Sequence, residues 1–535
     1  MYEWSIHPRV SPSIQSRHAL RAAGLLAVLI AALVLAARGA AAPGDLDSRF
    51  GEGGSTVMNF GGQDGARAVT VMPDGRIVAG GSAGLNFGVA RLRAGGGRDP
   101  SFGGGDGLVD LGFGAADHGN DLAVDTDGRI VVAGETDAAA NPSNFALIRF
   151  DVDGTPDPAF TDGVSGNGRV LTDFGDDDQA LGVAIAPDGK AVAAGRSGPF
   201  PSGDFAVARY DEGGTPDAGF GGTGLVTTDF GDFEVANAVA VDPDGRVVAA
   251  GRHQGILPYF ALARYEEDGD LDATFGDAGL VSLYFAGLTD EVSDVALTRD
   301  GRIVVAGTSG NRLAVARFME NGTPDPSFGA EGRVTIDFGL TTVGRAVAVA
   351  PRGRILIAGT ASSDLVVAQL NANGSRDRRF GTRGVARIDL GGSEGAWDVA
   401  LAPDGGIVVA GTTSRGPDPP NFLLARLANP PRIVKLIPKR RLGIARAVIE
   451  IPAPGRVKIR RTKKLRRAAG ERESAGRLRL RLTPRGKAKR RLARRRCEAT
   501  GKRRLRVRVR AKVVHRPPLG LVGRTQRRVR LVRRC

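Results

Sequence analysis

A sevenfold internal repeat constrains the fold of this chain more than any other feature. A P-D-G turn, or a variant of it, places Gly at 75, 128, 189, 245, 301, 353 and 405. The Phe of a D-x-x-F-G landmark recurs at 50, 102, 160, 220, 275, 328 and 380. Two landmarks recurring in step, at spacings between 52 and 61 residues, define one supersecondary unit used seven times.

One unit runs from Asp325 as DPSFGAEGRVTIDFGLTTVGRAVAVAPRGRILIAGTASSDLVVAQLNANGSR. It holds four short strand candidates, RVTIDF, AVAVA, RILIAG and LVVAQL, each β-branched or alternating and bounded by Gly, Pro, Asp or Asn. Helix is disfavoured, because no window carries 3.6-residue apolar spacing and each Gly would cost about 1 kcal/mol. In the P-D-G turn Pro pre-sets its φ and Gly accepts a positive one, so AVAVA and RILIAG form a hairpin. Four strands in a repeat of this length match a propeller blade. The two most uniformly apolar strands belong innermost, LVVAQL third and RVTIDF outermost. The repeat region then opens on an outer strand, Ser55–Phe60, and closes on a third strand, Asn421–Arg426. Pairing the first segment into the last blade closes the ring and removes exposed sheet edges. The expected fold is all-β: a seven-bladed propeller over 43–430, then a small basic β-sandwich over 431–535. A non-closing β-solenoid is the competing architecture.

The unit L-D-x-x-F-G…D-F-G…A-V-A-V-x-P-D-G-R-I-V-V-A-G…F-A-L-A-R-Y, over roughly residues 45–428, resembles the delta-60 repeat of secreted bacterial proteins, a relative of NHL-type propellers. Departures are local: Thr161 follows Phe160, Arg352 precedes Gly353 in place of Asp, and Ala286 follows Phe285. The resemblance implies a propeller and an extracellular setting, and it transfers no catalytic residue.

Charge divides the chain in two. Residues 431–535 hold 40 Lys+Arg and 4 Asp+Glu, a net of +36, which leaves residues 1–430 at −20. Such asymmetry marks separate modules with separate partners. At the N-terminus Arg9, Arg17 and Arg21 precede the uncharged run Ala22–Ala37, and the small residues Ala40, Ala41 and Ala42 follow. A basic region, an apolar stretch and a small-residue exit read as a secretory signal peptide over 1–42. An uncleaved anchor is the alternative, for which the run is short of the roughly 20 residues of a bilayer span. No second hydrophobic span follows, so a secreted mature chain without a transmembrane segment is expected.

Candidate chemistry sits where the repeats differ. The loops between second and third strands vary most: 136–144, 196–204, 252–258 and 412–421. They share a face with the segments entering each first strand, and binding residues sit on loops held by a rigid scaffold. Free drift of surface loops is the plainer reading. Polar residues near the starts of first strands are placed at a channel mouth: Arg67, Asn120, Asn237, Ser293, Arg345 and Trp397, with Asp121, Asp294 and Asp398 beside them. Trp397, the only tryptophan besides Trp4, is either a stacking platform for a sugar or peptide or an aromatic filling a gap in the channel wall.

Catalytic and metal chemistry find little support. His118, His253 and His515 are the only histidines after residue 42 and do not cluster in sequence. G-x-S-x-G, H-E-x-x-H and Walker-type patterns are absent. Two cysteines exclude a cysteine zinc site. The segment Asp151 to Asp157 resembles a fragment of a calcium loop, yet its counterpart Asn371 to Asp377 lacks the acids, so turn chemistry explains both. Asp176, Asp177 and Asp178 read as a solvated turn. No metal and no cofactor are expected.

From Pro430 the composition changes. RLRLRL (477–482), LRVRVR (505–510) and RRVRLV (527–532) alternate with period two and read as strands with one apolar and one cationic face. AVIEIPAPGRVKI (447–459) reads as a hairpin and 485–496 as a short helix or connector; an immunoglobulin-like sandwich fits. In an oxidising compartment Cys497 and Cys535 are expected to pair. A charge of +36 calls for counterions or a polyanion, with Arg477, Arg479, Arg481, Arg506, Arg508 and Arg510 as the binding candidates: Arg forks suit phosphate and carboxylate equally. Wall polymers, anionic headgroups and extracellular DNA are the available polyanions, and an acidic propeller is another partner. The expected function is a non-catalytic binding or display propeller held at the cell envelope. The alternative is an extracellular carboxylate-dependent enzyme, a lyase or glycan hydrolase, acting on the variable face.

Overall fold

The apolar runs of each repeat become strands that are covered on both sides. In the computed structural model Ile355–Ala358 and Leu365–Ala368 are buried without a break, and the equivalent pairs repeat this in every blade. The structure describes residues 41–429, apart from 138–142, 176, 200, 286, 288 and 415–418, together with the backbone of strands between 432 and 534. The leader to residue 40, the connector 485–496 and both Cys497 and Cys535 lie outside the described residues.

Seven antiparallel sheets of four strands are each ordered first, second, third, fourth from the axis outward. Their innermost strands are Asp64–Val71, Asp117–Val124, Asp178–Ile185, Phe233–Val241, Asp290–Leu297, Thr342–Ala350 and Ser393–Leu401. Blade six continues with Arg354–Ala361, Asp364–Leu370 and Val385–Ile388, so each repeat's leading strand is the outer strand of the blade before it. The second and third strands are the most completely buried. The first is partly open along its length, because it lines the axial channel. Ser55–Met58 pairs with Asn421–Leu427, Met58 opposite Phe422, and completes blade seven. The closed ring displaces the solenoid alternative. A 3-10 turn, Gly103–Gly105, is the one helical element among the described residues, none of which forms a helix able to cross a membrane.

Seven apolar clusters fill the seven seams, one between each pair of neighbouring blades. Alternate residues of one strand serve opposite seams: Ala191 and Ala193 face blade two, Val192 and Ala194 face blade four. The repeat landmarks reinforce these seams. Arg264, in the third strand, donates from Nε to Asp272 at 2.7 Å and lies 4.5 Å from the Phe275 ring centre. Its NH1 donates to the Glu320 carbonyl of the next blade. Arg91, Arg149, Arg209 and Arg317 stand in the same way between Asp99 and Phe102, Asp157 and Phe160, Asp217 and Phe220, and Asp325 and Phe328. The Gly after the Phe adds a bond across the seam, Gly276 N to Asn321 O at 2.9 Å. Asp153 and Asp157 serve this framework: Asp153 accepts the Thr155 amide at 2.9 Å and its hydroxyl at 2.7 Å. The P-D-G glycines all take positive φ, from 69° at Gly353 to 89° at Gly75 and Gly189.

Beyond the propeller, Arg432–Lys439, Ile444–Ile451 and Gly476–Leu482 form one antiparallel sheet. Ala468–Arg472, Gly455–Ile459, Arg504–Arg516 and Gly523–Arg534 form another. The predicted alternating segments all fall in these strands. The hairpin expected at 447–459 is corrected: its halves belong to different sheets, because a period-two pattern identifies strands without naming their partners. Arg477, Arg479 and Arg481 occupy alternate positions of one strand, opposite Glu450, Val448 and Arg446, and Arg506, Arg508 and Arg510 do so in another.

Candidate functional site

Every innermost strand is broken once by a β-bulge, three residues after its start in five blades and four in the strands that begin at Phe233 and Ser393. The register shifts between Ala66 and Ala68, Gly119 and Asp121, Ala180 and Gly182, Ala236 and Ala238, Val292 and Asp294, Gly344 and Ala346, and Ala396 and Asp398. The extra residues are Arg67, Asn120, Leu181, Asn237, Ser293, Arg345 and Trp397. A bulged residue leaves the ladder and re-aims its side chain. Across from each bulge stands the Gly that ends I-V-V-A-G. A Cβ on Gly251 would sit 1.8 Å from the Val235 carbonyl oxygen, and on Gly195 1.7 Å from that of Gln179. Glycine is therefore what lets the strand bulge.

All seven bulged side chains converge on an axial cavity of about 330 Å³, together with Asp121, Asp294 and Asp398 from the following position and with Ala238, Ala346 and Glu291. Every residue expected at the channel mouth lines it. Sequence reading missed Leu181, which completes the ring, and Glu291; Leu181 was recoverable by counting three residues from the strand start at Asp178, whereas Glu291, one residue after Asp290, was not.

The ring has two halves. On one, short polar side chains tie neighbouring blades. Asn120 donates to the Ala180 carbonyl at 2.9 Å, Asn237 to Val292 at 2.7 Å, and Ser293 to Gly344 at 2.9 Å. On the other, Trp397 is sandwiched by guanidinium groups: Arg67 lies 4.1 Å and Arg345 4.3 Å from its ring centre. Neither guanidinium has a carboxylate within 4.0 Å among the described residues. Burial lowers the pKa of both; Arg345 adds to the effect on Arg67, and the distant charges of Glu135 and Glu291 oppose it. Guanidinium remains cationic at neutral pH, so two like charges flank one aromatic ring with no counter-ion of their own.

The three aspartates hold the ring together. Asp121 accepts from Val183 N at 2.8 Å, Asp294 from Val347 N at 2.6 Å and Asp398 from Val69 N at 2.6 Å, each bond crossing to the next blade. Their other oxygens accept from Leu122, Val295 and Val399 on their own strands. Burial pushes Asp121 up to about 7 and Asp398 to about 6, and burial with the Asp398 charge raises Asp294 well above the usual carboxylate range. Elsewhere, Asp177 pairs with Arg196 at 2.7 Å and Asp178 accepts the Phe174 amide at 2.7 Å, while Asp176 lies outside the described residues.

Six stretches, 73–102, 126–160, 186–220, 243–275, 298–328 and 352–380, match a family model described as a domain of unknown function (DUF5122) beta-propeller. No curated protein matches the chain. Among solved structures, virginiamycin B lyase from Staphylococcus aureus is similar at 10% identity over 70% of this chain and 99% of its own, with a TM-score of 0.40. A protein of unknown function from Dyadobacter fermentans gives 14% identity, 70% and 97% coverage and a TM-score of 0.38. The polysaccharide lyase Uly1 gives 11% identity, 68% and 90% coverage and a TM-score of 0.40. Blade by blade, from the closing strand to the seven seams, the chain is a β-propeller repeat protein of seven four-stranded blades.

Proposed function

We propose that this chain is a secreted, non-catalytic binding propeller that takes a small anionic ligand at its axial cavity and is retained at the cell envelope by its cationic C-terminal segment. The observation that carries the reading is the Arg67–Trp397–Arg345 stack. Two half-buried guanidinium groups without carboxylate partners are costly alone and are offset by an incoming carboxylate or phosphate, to which the planar forks donate two N–H bonds each. The Trp397 ring, flanked by both forks, leaves its edge to the body of a sugar acid. A cavity of about 330 Å³ suits one such unit.

Trp397 also supplies the test. In a full-length Trp4→Phe variant it is the sole tryptophan, so emission reports the cavity alone. Titration with galacturonate or inorganic phosphate is expected to change emission saturably, and Arg67→Met with Arg345→Met is expected to abolish the change. Emission that stays flat at millimolar ligand, or responds equally in the double variant, refutes an anion site. The carboxylate-enzyme alternative has one observation in its favour, the raised pKa of Asp121 beside the cavity. It requires turnover of an oligouronate that Asp121→Asn abolishes.

A further inference from the structure

At each seam three positions meet: the residue opening a third strand, the residue following the outer strand beside it, and the residue opening the next blade's first strand. The ladder defines them, since Phe205 pairs with Thr228 and Glu234 with His253. At five seams the three are not all acidic. Arg312 pairs with Asp337 at 3.4 Å between blades five and six, and the Tyr259 and Tyr284 rings meet at a tilt, 5.6 Å between centres, between four and five. The seam between one and two begins with Asn86, followed by Gly112, and that between two and three begins with Asn144. Only two seams are wholly acidic, Asp204/Asp229/Glu234 and Asp364/Asp389/Glu394, and in each one carboxylate oxygen per residue lies within 4.8 Å of the others.

These two seams are also the only ones where Glu stands at this position, second in its strand after Phe233 or Ser393. In four of the other five blades the residue is Asp, whose carboxylate caps the turn by accepting a Phe amide, as Asp64 does from Phe60 at 2.7 Å; blade six has Thr342. In Glu234 one oxygen keeps a capping task, Oε1 accepting the Asp232 amide at 3.0 Å, and the carboxylate lies beside the two aspartates. The second oxygen, Oε2, is buried in a residue 0% exposed and has no hydrogen-bond partner. A buried carboxylate with an orphaned oxygen, beside two more carboxylates, is expensive unless a cation sits among them.

We propose that the seam between blades three and four binds a divalent cation of calcium type through Asp204, Asp229 and Glu234. The donors are all hard oxygens, and 4.8 Å is the separation of two ligands across an ion at about 2.3–2.6 Å. Glu234 comes from within blade four and the aspartates from the edge of blade three, so the ion would staple the two blades. His253 Nε2 lies 3.9 Å from Glu234 Oε1, beyond hydrogen-bond distance. At the sister seam Arg387 already pairs with Asp364, so that cluster is the weaker candidate.

The test uses the full chain stripped of metal with a chelator and titrated with calcium chloride, read by calorimetry and thermal melting. A Kd of about 0.1–1 mM is expected, the range of extracellular calcium modules, with a melting temperature that rises on calcium. Asp204→Asn with Asp229→Asn relieves repulsion, so it should melt no lower than wild type in chelator and lose the calcium-dependent rise. Asp364→Asn with Asp389→Asn should keep it. The proposal is overturned by a wild-type chain that neither binds nor stabilises at millimolar calcium, or by a Asp204/Asp229 double variant that binds as wild type does.

Discussion

Asp121, Asp294 and Asp398 do for the centre of the ring what no apolar residue could: each carboxyl accepts one amide from its own strand and one from the next blade. The cost shows in their pKa values. A group raised in the fold binds its proton more tightly there than in the unfolded chain, so its contribution is present at low pH and is lost as pH rises through the folded value. For Asp121 that window runs from the ordinary carboxylate value of 3.8 to about 7. Asp121→Ala strands two amides, at a cost of roughly 1–3 kcal/mol. Its melting deficit against wild type is expected to be larger at pH 5 than at pH 8, because ionisation weakens only the wild type over that interval. A deficit that grows toward pH 8 would contradict the burial argument. Trp397, Arg67 and Arg345 answer to a different principle: they cross the seams of blade seven through cation–π contacts alone and tie no backbone.

Strands carry the next level. The first strand of every blade is pleated, bulged and pleated again, and the Gly of the second strand is the condition for the bulge. Gly251→Ala places a methyl 1.8 Å from the Val235 carbonyl and is expected to cost about 1–3 kcal/mol through forced backbone shift. Thermal melting measures it, and an unchanged midpoint would mean that the bulge does not depend on glycine. An isolated Gly inside an apolar strand was legible as a bulge signal. Followed around the repeats it would have placed Leu181 in the ring with the polar residues. Third strands show the same economy: the Arg of F-A-L-A-R-Y, the Asp of D-x-x-F-G and its Phe, which mark the repeat in sequence, form one clamp in space.

For the molecule as a whole, two oppositely charged parts make the envelope reading testable. The full chain is expected to stay on isolated cell walls at low salt and to be released as salt screens its +36 segment, while a chain ending at residue 431 is not retained. Equal retention of the truncated chain would remove the C-terminal segment from that role. The ring itself does not depend on the segment, because Ser55–Met58 supplies the outer strand of blade seven and closes all seven sheets within the repeats.

Blade number, strand order and ring closure followed from the sequence alone, because they rest on local patterns repeated seven times: apolar alternation, a turn with a Gly at positive φ, and a leftover outer strand. So did the polar part of the channel lining, since residues at one repeat position must share one radius, although Leu181 and Glu291 escaped it. Contacts between repeats did not follow. Whether Asn120 ties a neighbouring blade while Arg67 and Arg345 flank Trp397 depends on which blades adjoin, with blade one meeting blade seven. Nor could spacing show that Asp204, Asp229 and Glu234 converge, because they come from three strands of two sheets. Repetition writes the blade into the sequence, and only the closing of the ring sets the distances across its seams.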